Sequence, residues 1–363
     1  MRPLDKHFFA VPLLVYQPEA HWLGEEREKI TWLFSAANLW HQAGKYQIWC
    51  DPKGVRLVGF SHPLQKIDNQ EVVFFGFWEG VFDFELHRQA FGELEKWARS
   101  FNVQKIVGPI DFNTFHNYRL RQNCQFADDC FPGEPFGAPW YEPYLAKMGF
   151  SLASRYFSQF GEYNEENFAQ LTTMAQSYSD TFAWGSLQII PLSKQYWMDQ
   201  LDNLFDLMSE IFGNNFGYQP VDRTTFKHNY GEAYYDGLCP HSSRIAVNEQ
   251  NGQLIGFLLA YPDYSPLILE KPPQARRPQM LPYATAFPQL HQPRLIVKTG
   301  GVRKEYRNLG IAQRLGLEVA KGGFSSHYKS FVVANMKSDN VSSRKAKNIY
   351  AYLRYYALYA KEI

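Results

Sequence analysis

An excess of charge of one sign is missing from this sequence. Its 37 Lys and Arg stand against 36 Asp and Glu, a formal net charge of +1. No global field therefore draws the chain to nucleic acid or to an anionic membrane, and neither is expected as a partner. Cysteine is scarce. Cys50, Cys124, Cys130 and Cys239 match no zinc-ligand spacing, and four in so long a chain are not a disulfide framework, so no metal is expected. The apolar run Phe8 to Tyr16 is too short to cross a bilayer and no small-residue cleavage site follows it. It reads as a first strand region, and the expected compartment is the cytoplasm. A Ser-His-Asp arrangement and a dinucleotide fingerprint are also absent.

What is present describes a folded protein of two ordinary domains: 363 residues, 45% hydrophobic and 20% charged. Aromatics make up 17%, which fits either aromatic-filled cores or an aromatic-lined pocket, and the count does not separate them.

The most telling stretch is Arg307-Asn308-Leu309-Gly310-Ile311-Ala312. Before it runs a strand-like segment, Pro293 to Lys298, then Thr299-Gly300-Gly301-Val302. After it Ile311, Leu315 and Val319 recur at helical spacing. A strand turning into a helix start offers free backbone N–H groups and the positive end of a helix dipole, a combination that favours phosphate or pyrophosphate. Gly310 has no Cβ and lets the backbone approach the anion, Ala312 keeps that approach open, and Arg307 adds a charge at the mouth. Arg303, Lys304, Arg314, Lys337, Arg344, Lys345 and Lys347 bracket the loop, either as a solvated basic face or as partners for phosphates.

This arrangement resembles motif A of the GNAT acyltransferase superfamily, Arg/Gln-x-x-Gly-x-Gly/Ala between the fourth strand and third helix. Val302 sits five residues before Arg307, where that family usually carries a Val. Asn340-Val341-Ser342-Ser343, after the strand-like Ser330 to Ala334, falls where the family has its Asn-x-x-Ala/Ser helix start. The resemblance implies acetyl-coenzyme A, or another acyl-coenzyme A, as co-substrate. Its ligands would be Val302, Arg303, Arg307, Asn308, Leu309, Gly310, Ile311, Ala312, Asn340 and Ser343. It also implies direct transfer of the acyl group to the amine of a small-molecule or amino-acid-like acceptor, with an acyl carrier protein or tRNA as alternative donor, or acyl-coenzyme A binding without catalysis.

The order of elements occurs twice. A hairpin at Tyr46–Phe60, a strand at Glu71–Phe77, a helix at Glu85–Ser100, a strand at Gln104–Gly108 and the ending Tyr141–Phe150 make the first series. A strand at Leu187–Leu192, a helix over Tyr196–Phe212, an Asp222-capped helix, a hairpin at Arg244–Tyr261, the motif strand and helix, and the segments at Ser330 and Tyr352 make the second. The expected fold is α/β: two GNAT-like domains in tandem, each a mixed, largely antiparallel sheet flanked by helices. Residues 1–165 would be a degenerate copy, 166–185 a linker, and 186–363 the domain with the coenzyme A site. Where the first half should carry its phosphate loop, Asp83 and Glu85 would repel an anion. Val107-Gly108-Pro109-Ile110-Asp111-Phe112-Asn113-Thr114 adds a looser resemblance to bacterial two-lobed GNAT-like proteins. Eight prolines between Pro262 and Pro293 mark a lid or binding loop, or a rigid insertion.

Relatives often use a Glu base and a Tyr acid in the fourth helix. Here Lys347 occupies the usual Tyr position and Tyr350, slightly beyond, is the candidate acid, although a core tyrosine fits it as well. Asp263 is the candidate base or amine ligand, or else a turn residue. Asp111, Asn113 and His116 are the candidate acceptor contacts across the interdomain cleft, and a plain loop role remains open for His116.

Overall fold

The structure is a computed structural model describing Leu4 and residues 6–179, 185–338 and 350–363, with side chains for all of these except 174–179 and Tyr350. In the first half the strands are β1 (Lys45–Asp51), β2 (Val55–Ser61), β3 (Val73–Gly80), β4 (Lys105–Gly108) and β5 (Ser151–Glu162). The second half has β6 (Leu187–Pro191), β7 (Arg244–Asn248), β8 (Gln253–Pro262), β9 (Arg294–Val302), β10 (Ser330–Lys337) and β11 (Tyr350–Glu362). The helices that place the site are α1 (Phe84–Arg99), α2 (Glu165–Ser179) and α3 (Ile311–Ser325).

These eleven strands run through one sheet in the order β1-β2-β3-β4-β11-β5-β10-β9-β8-β7-β6, with the two-residue strand Leu120–Arg121 pairing with β11 as its twelfth, and Lys66–Ile67 and Gln70–Glu71 form a separate small hairpin. Both halves show the expected GNAT-like order: an antiparallel hairpin, a third antiparallel strand, a crossover helix, then a parallel strand. The likeness extends to single residues. Val73 of β3 pairs with Ile106, and four residues later Phe77 has φ +46° where the register with β2 shifts. Leu295 of β9 pairs with Phe331, and four residues later Thr299 has φ +72° where the register with β8 shifts. The same bulge interrupts the same strand in each lobe.

Several segments differ from the sequence reading. Val11–Val15 is a short helix, not a strand, with Pro12 in its first turn where the missing N–H is harmless. The helix expected over Tyr196–Phe212 breaks at Gln200 into Lys194–Asp199 and Leu201–Phe212. The linker is largely the helix α2, which packs on α3 through stacked Phe168 and Phe324. No helix among the described residues is long and apolar enough to cross a membrane.

The largest departure is an exchange of strands. β5, from the first half, pairs with β10 of the second. β11, the last strand of the chain, pairs with β4 of the first half and runs beside β5. The division drawn at 165 and 186 follows chain order, but each half-sheet is completed by the other half's final strand. Leu358 of β11 is fully buried among Phe8, Phe74, Val107 and Ile110 of the first lobe. Leu358→Ala should therefore cost about 2–5 kcal/mol. Chemical denaturation should show both lobes losing structure in one transition, and two separable transitions with only one displaced would show that the lobes are independent.

Candidate active site

In the second lobe β9 and β10 pair in parallel only from Arg294 to Val297 against Ser330 to Val333. Beyond that point β9 stays with β8 and β10 stays with β5, so the two strands part. The gap opens into a cavity of about 2120 Å³ between the lobes, lined there by Lys298, Thr299, Gly300, Val302, Asn335 and Met336.

The anticipated loop lies at the edge of this gap. Gly310 is the N-cap of α3 with φ +74°, and Asn308 has φ +67°. This left-handed conformation is what a glycine permits at least strain. The first N–H groups of a helix have no intrahelical acceptor. Among the described residues those of Asn308, Leu309, Gly310, Ile311 and Ala312 have no other acceptor either, the first bond of the helix running from Arg314 N–H to the Gly310 carbonyl. Leu309 and Ile311 pack with Ala246, Ile255 and Leu315, anchoring the loop while leaving its backbone free. Val302, Arg307 and Ala312 face the cavity, and Arg307 Nε donates to the Val302 carbonyl at 3.2 Å. The loop residues present thus fit a pyrophosphate. Arg303 does not point there: its Nε donates to the Leu254 carbonyl and its Nη1 pairs with Glu210. Asn340 and Ser343 lie outside the described residues.

The corresponding place in the first lobe is sealed. Three residues separate β3 from α1, against eight between β9 and α3. The Asp83 carboxylate accepts the N–H groups of Glu85 and Leu86 at 3.0 and 3.3 Å, so the helix start already holds its own anion. The gap between β3 and β4 is plugged as well. Ile110 N–H donates to the Phe75 carbonyl, and the Asp111 carboxylate accepts from Phe77 N–H at 2.6 Å.

The remaining sequence candidates fall out as follows. Asp263 is no base. It is buried, bonded by Arg294 Nε at 3.0 Å and Nη2 at 2.5 Å, and accepts from Ser265 N–H. Tyr350 is the first residue of β11, level with Gly161 and hence with Phe331. The gap begins beyond Val333, so Tyr350 sits roughly 13 Å below Asn335 at strand rise, at the wrong end for an acid. Asn113 caps its own turn by accepting from Phe115 N–H and does not line the cavity. Asp111 and His116 do line it. Burial pushes Asp111 up to about 7, while burial, helped by Lys29 and His228, pushes His116 down to about 3. The Pro-rich segment forms part of the wall through Pro278, Gln279 and Met280. It is tied to the first lobe by Arg276, which donates to the carbonyls of Pro18, Ala20 and Trp22.

Three cavity residues escaped the sequence reading. Tyr234 lines the cavity together with Thr299 of the bulge, and burial, then Tyr230, holds its hydroxyl well above the usual range. Arg119 and Lys298 also line the cleft. Only Lys298 left a trace, as a charge inside an apolar strand run, the kind of local conflict that functional sites show. Burial, then Arg119 and Lys29, pushes Lys298 down to about 7. Between about 7 and its ordinary value the unfolded chain holds a proton that the folded chain has lost, so this group's contribution to stability rises with pH. Lys298→Met should accordingly raise the melting temperature at pH 7, with the gain shrinking toward pH 10. A variant melting lower at pH 7 would contradict this.

No protein-family model matches the chain, and no curated protein matches it. Solved structures do resemble it. A tandem GNAT protein from the clavulanic acid biosynthesis pathway, determined without AcCoA, is 11% identical over 88% of this chain and 83% of its own, with a TM-score of 0.46. A probable N-acyltransferase from Enterococcus faecalis V583 is 9% identical over 99% of this chain and 70% of its own, at 0.49. L-PGS from Bacillus licheniformis is 12% identical over 93% of each chain, at 0.38. Such identities and scores say nothing of activity. The tandem GNAT-like fold stands on the strand order, the paired bulges and the loop.

Proposed function

We propose that this protein is an acyltransferase that moves an acyl group, most simply acetyl, from acyl-coenzyme A to the amine of a small acceptor held between the lobes. The observation that carries the reading is the run of free N–H groups from Asn308 to Ala312, opening beside the gap between β9 and β10. The loop and Arg307 would hold the pyrophosphate, and the bound thioester would supply an activated acyl carbon.

The chain's own part is orientation, which can account for much of the rate. The Thr299 bulge releases backbone groups from the ladder at the gap, the kind of donor that steadies a thioester carbonyl as it becomes tetrahedral. Tyr234, which lines the same cavity and is kept protonated by burial, would give its proton to the departing thiolate, the role first sought at Tyr350. A donor carried by a protein or tRNA would not need the intact loop, so the loop favours free acyl-coenzyme A.

Titration calorimetry should find one acetyl-coenzyme A per chain, because the first lobe's helix start is capped by Asp83. Gly310→Val should weaken that binding at least tenfold, and Arg307→Ala roughly three- to tenfold. Two sites, or unaltered affinity in the Gly310 variant, would sink the loop assignment. Tyr234→Phe should lower turnover about a hundredfold while acetyl-coenzyme A binding stays unchanged. Thiol release measured against a panel of amines checks this and separates an enzyme from a non-catalytic binder, and normal turnover in the variant would return the proton to solvent.

A further inference from the structure

The middle of the cleft gathers positive charge although the chain as a whole is balanced. Lys298 enters from the second lobe and Arg119 from the first; Lys29 lies beside them but pairs with Glu26 at 3.7 Å, and His116, also from the first lobe, is kept unprotonated by burial. Arg119 is only 8% exposed. Its guanidinium lies 3.8 Å from the Tyr118 ring centroid and 4.0 Å from that of Tyr156, which fix its plane. Its Nη2 donates to the Tyr118 hydroxyl, but its Nε is buried without a partner among the described residues, as is His116 Nδ1. Lys298 has one acceptor, the Gly133 carbonyl at 2.6 Å, while Arg119 and Lys29 act on it as repelling charges.

Glu26 answers Lys29 at 3.7 Å, Glu232 and Asp236 pair with Lys194, and Glu28 is exposed to solvent. The other carboxylates of the cavity do not answer Arg119 or Lys298, because they are already engaged. Glu25 pairs with Arg56, and Glu79 accepts the hydroxyls of Tyr16 and Tyr141. Asp111 accepts from Phe77 N–H, and Glu134 is held by both of its oxygens to Arg354. An orphaned buried donor beside a cation that no carboxylate neutralises is costly. The missing partner is an anion with several acceptor oxygens, and a guanidinium beside an ammonium suits carboxylate and phosphate alike.

We infer that Arg119 and Lys298 form an oxyanion-binding subsite spanning the cleft, so that the acceptor carries a carboxylate or phosphate group as well as its amine. The role as an acceptor site rests on the acyltransferase reading, whereas anion binding itself does not. Arg119 sets the plane of the anion and Lys298 meets it from the opposite lobe. An amino acid and a phosphorylated amine are the two sources of such a group.

The test is calorimetric titration of the full-length protein, with and without saturating acetyl-coenzyme A, using β-alanine, O-phosphoethanolamine and ethanolamine. At least one anionic probe should bind tenfold or more tighter than ethanolamine, and whichever does so names the anion. Arg119→Gln and Lys298→Met should each remove that preference, and Arg119→Lys should restore part of it, with thermal melts confirming that the variants fold. Should Arg119→Gln not fold, the partly exposed Lys298 carries the comparison through Lys298→Met. Equal binding of the three probes, or a preference that survives in the folded variants, overturns the subsite. Anion preference without acetyl-coenzyme A binding would reject the acyltransferase reading and leave the subsite standing. Acetyl transfer with no anion preference would do the reverse.

Discussion

The pairing of β5 with β11 is the interaction on which the two lobes depend, since each strand finishes a half-sheet begun by the other half of the chain. An ion network locks this seam. Arg354 on β11 pairs with Glu134 and Asp129, Asp129 also receives Arg294 of β9, and Arg294 in turn holds Asp263. Arg354 also lies 4.4 Å from the ring centroid of Phe160 on β5, which stacks with Tyr352. Replacing such buried pairs with apolar residues is often neutral or stabilising, whereas breaking one leaves a buried charge uncompensated. The network is therefore better understood as fixing which strand lies beside which than as a large source of stability.

That seam was also the part of the fold least legible in the sequence. The hairpins, the two crossover helices and the phosphate loop announced themselves through alternation, helical spacing, turn residues and Gly310. β5 did not, because its seat in the middle of the sheet buries Ser158 and Gln159 between Phe157 and Phe160, so no apolar alternation marks it. Without β5 the exchange could not be anticipated, and Tyr350 was sought on a helix instead of at the start of a strand. Asp263 misled for a related reason. An acid at a strand exit reads the same whether it faces a cavity or an arginine, and only the register that brings Arg294 beside it decides. The site splits the same way. Loop residues that act through their backbone can be found from local pattern, while Arg119, Tyr234 and Lys298 meet only through tertiary packing.

The two lobes show how one architecture can be opened or closed. Both carry the bulged strand and the parallel neighbour that parts from it. In the second lobe the parting leads into the cavity and the helix start is bare. In the first, Ile110 and Asp111 fill the parting and Asp83 occupies the helix start. A carboxylate at a helix N-terminus meets the same free N–H groups and dipole that would otherwise attract a phosphate. The first lobe thus holds its charge internally and is free to serve as a wall.

A wall is useful only if it is held still. The first lobe is fixed to the second by shared strands, and the Pro-rich segment is fixed to the first by the three carbonyls that Arg276 engages. Tyr261 of β8 adds a further tie by donating to the Pro132 carbonyl, next to the Gly133 carbonyl that receives Lys298. The lobes on either side of the cleft are therefore joined through one continuous sheet. On the proposed acyl transfer, preorganisation of this kind would lower the ordering cost of bringing an acceptor against a thioester. It also explains why the cleft tolerates crowded cations: a rigid frame can hold Lys298 and Arg119 against their repulsion, where flexible loops would let them swing apart into solvent.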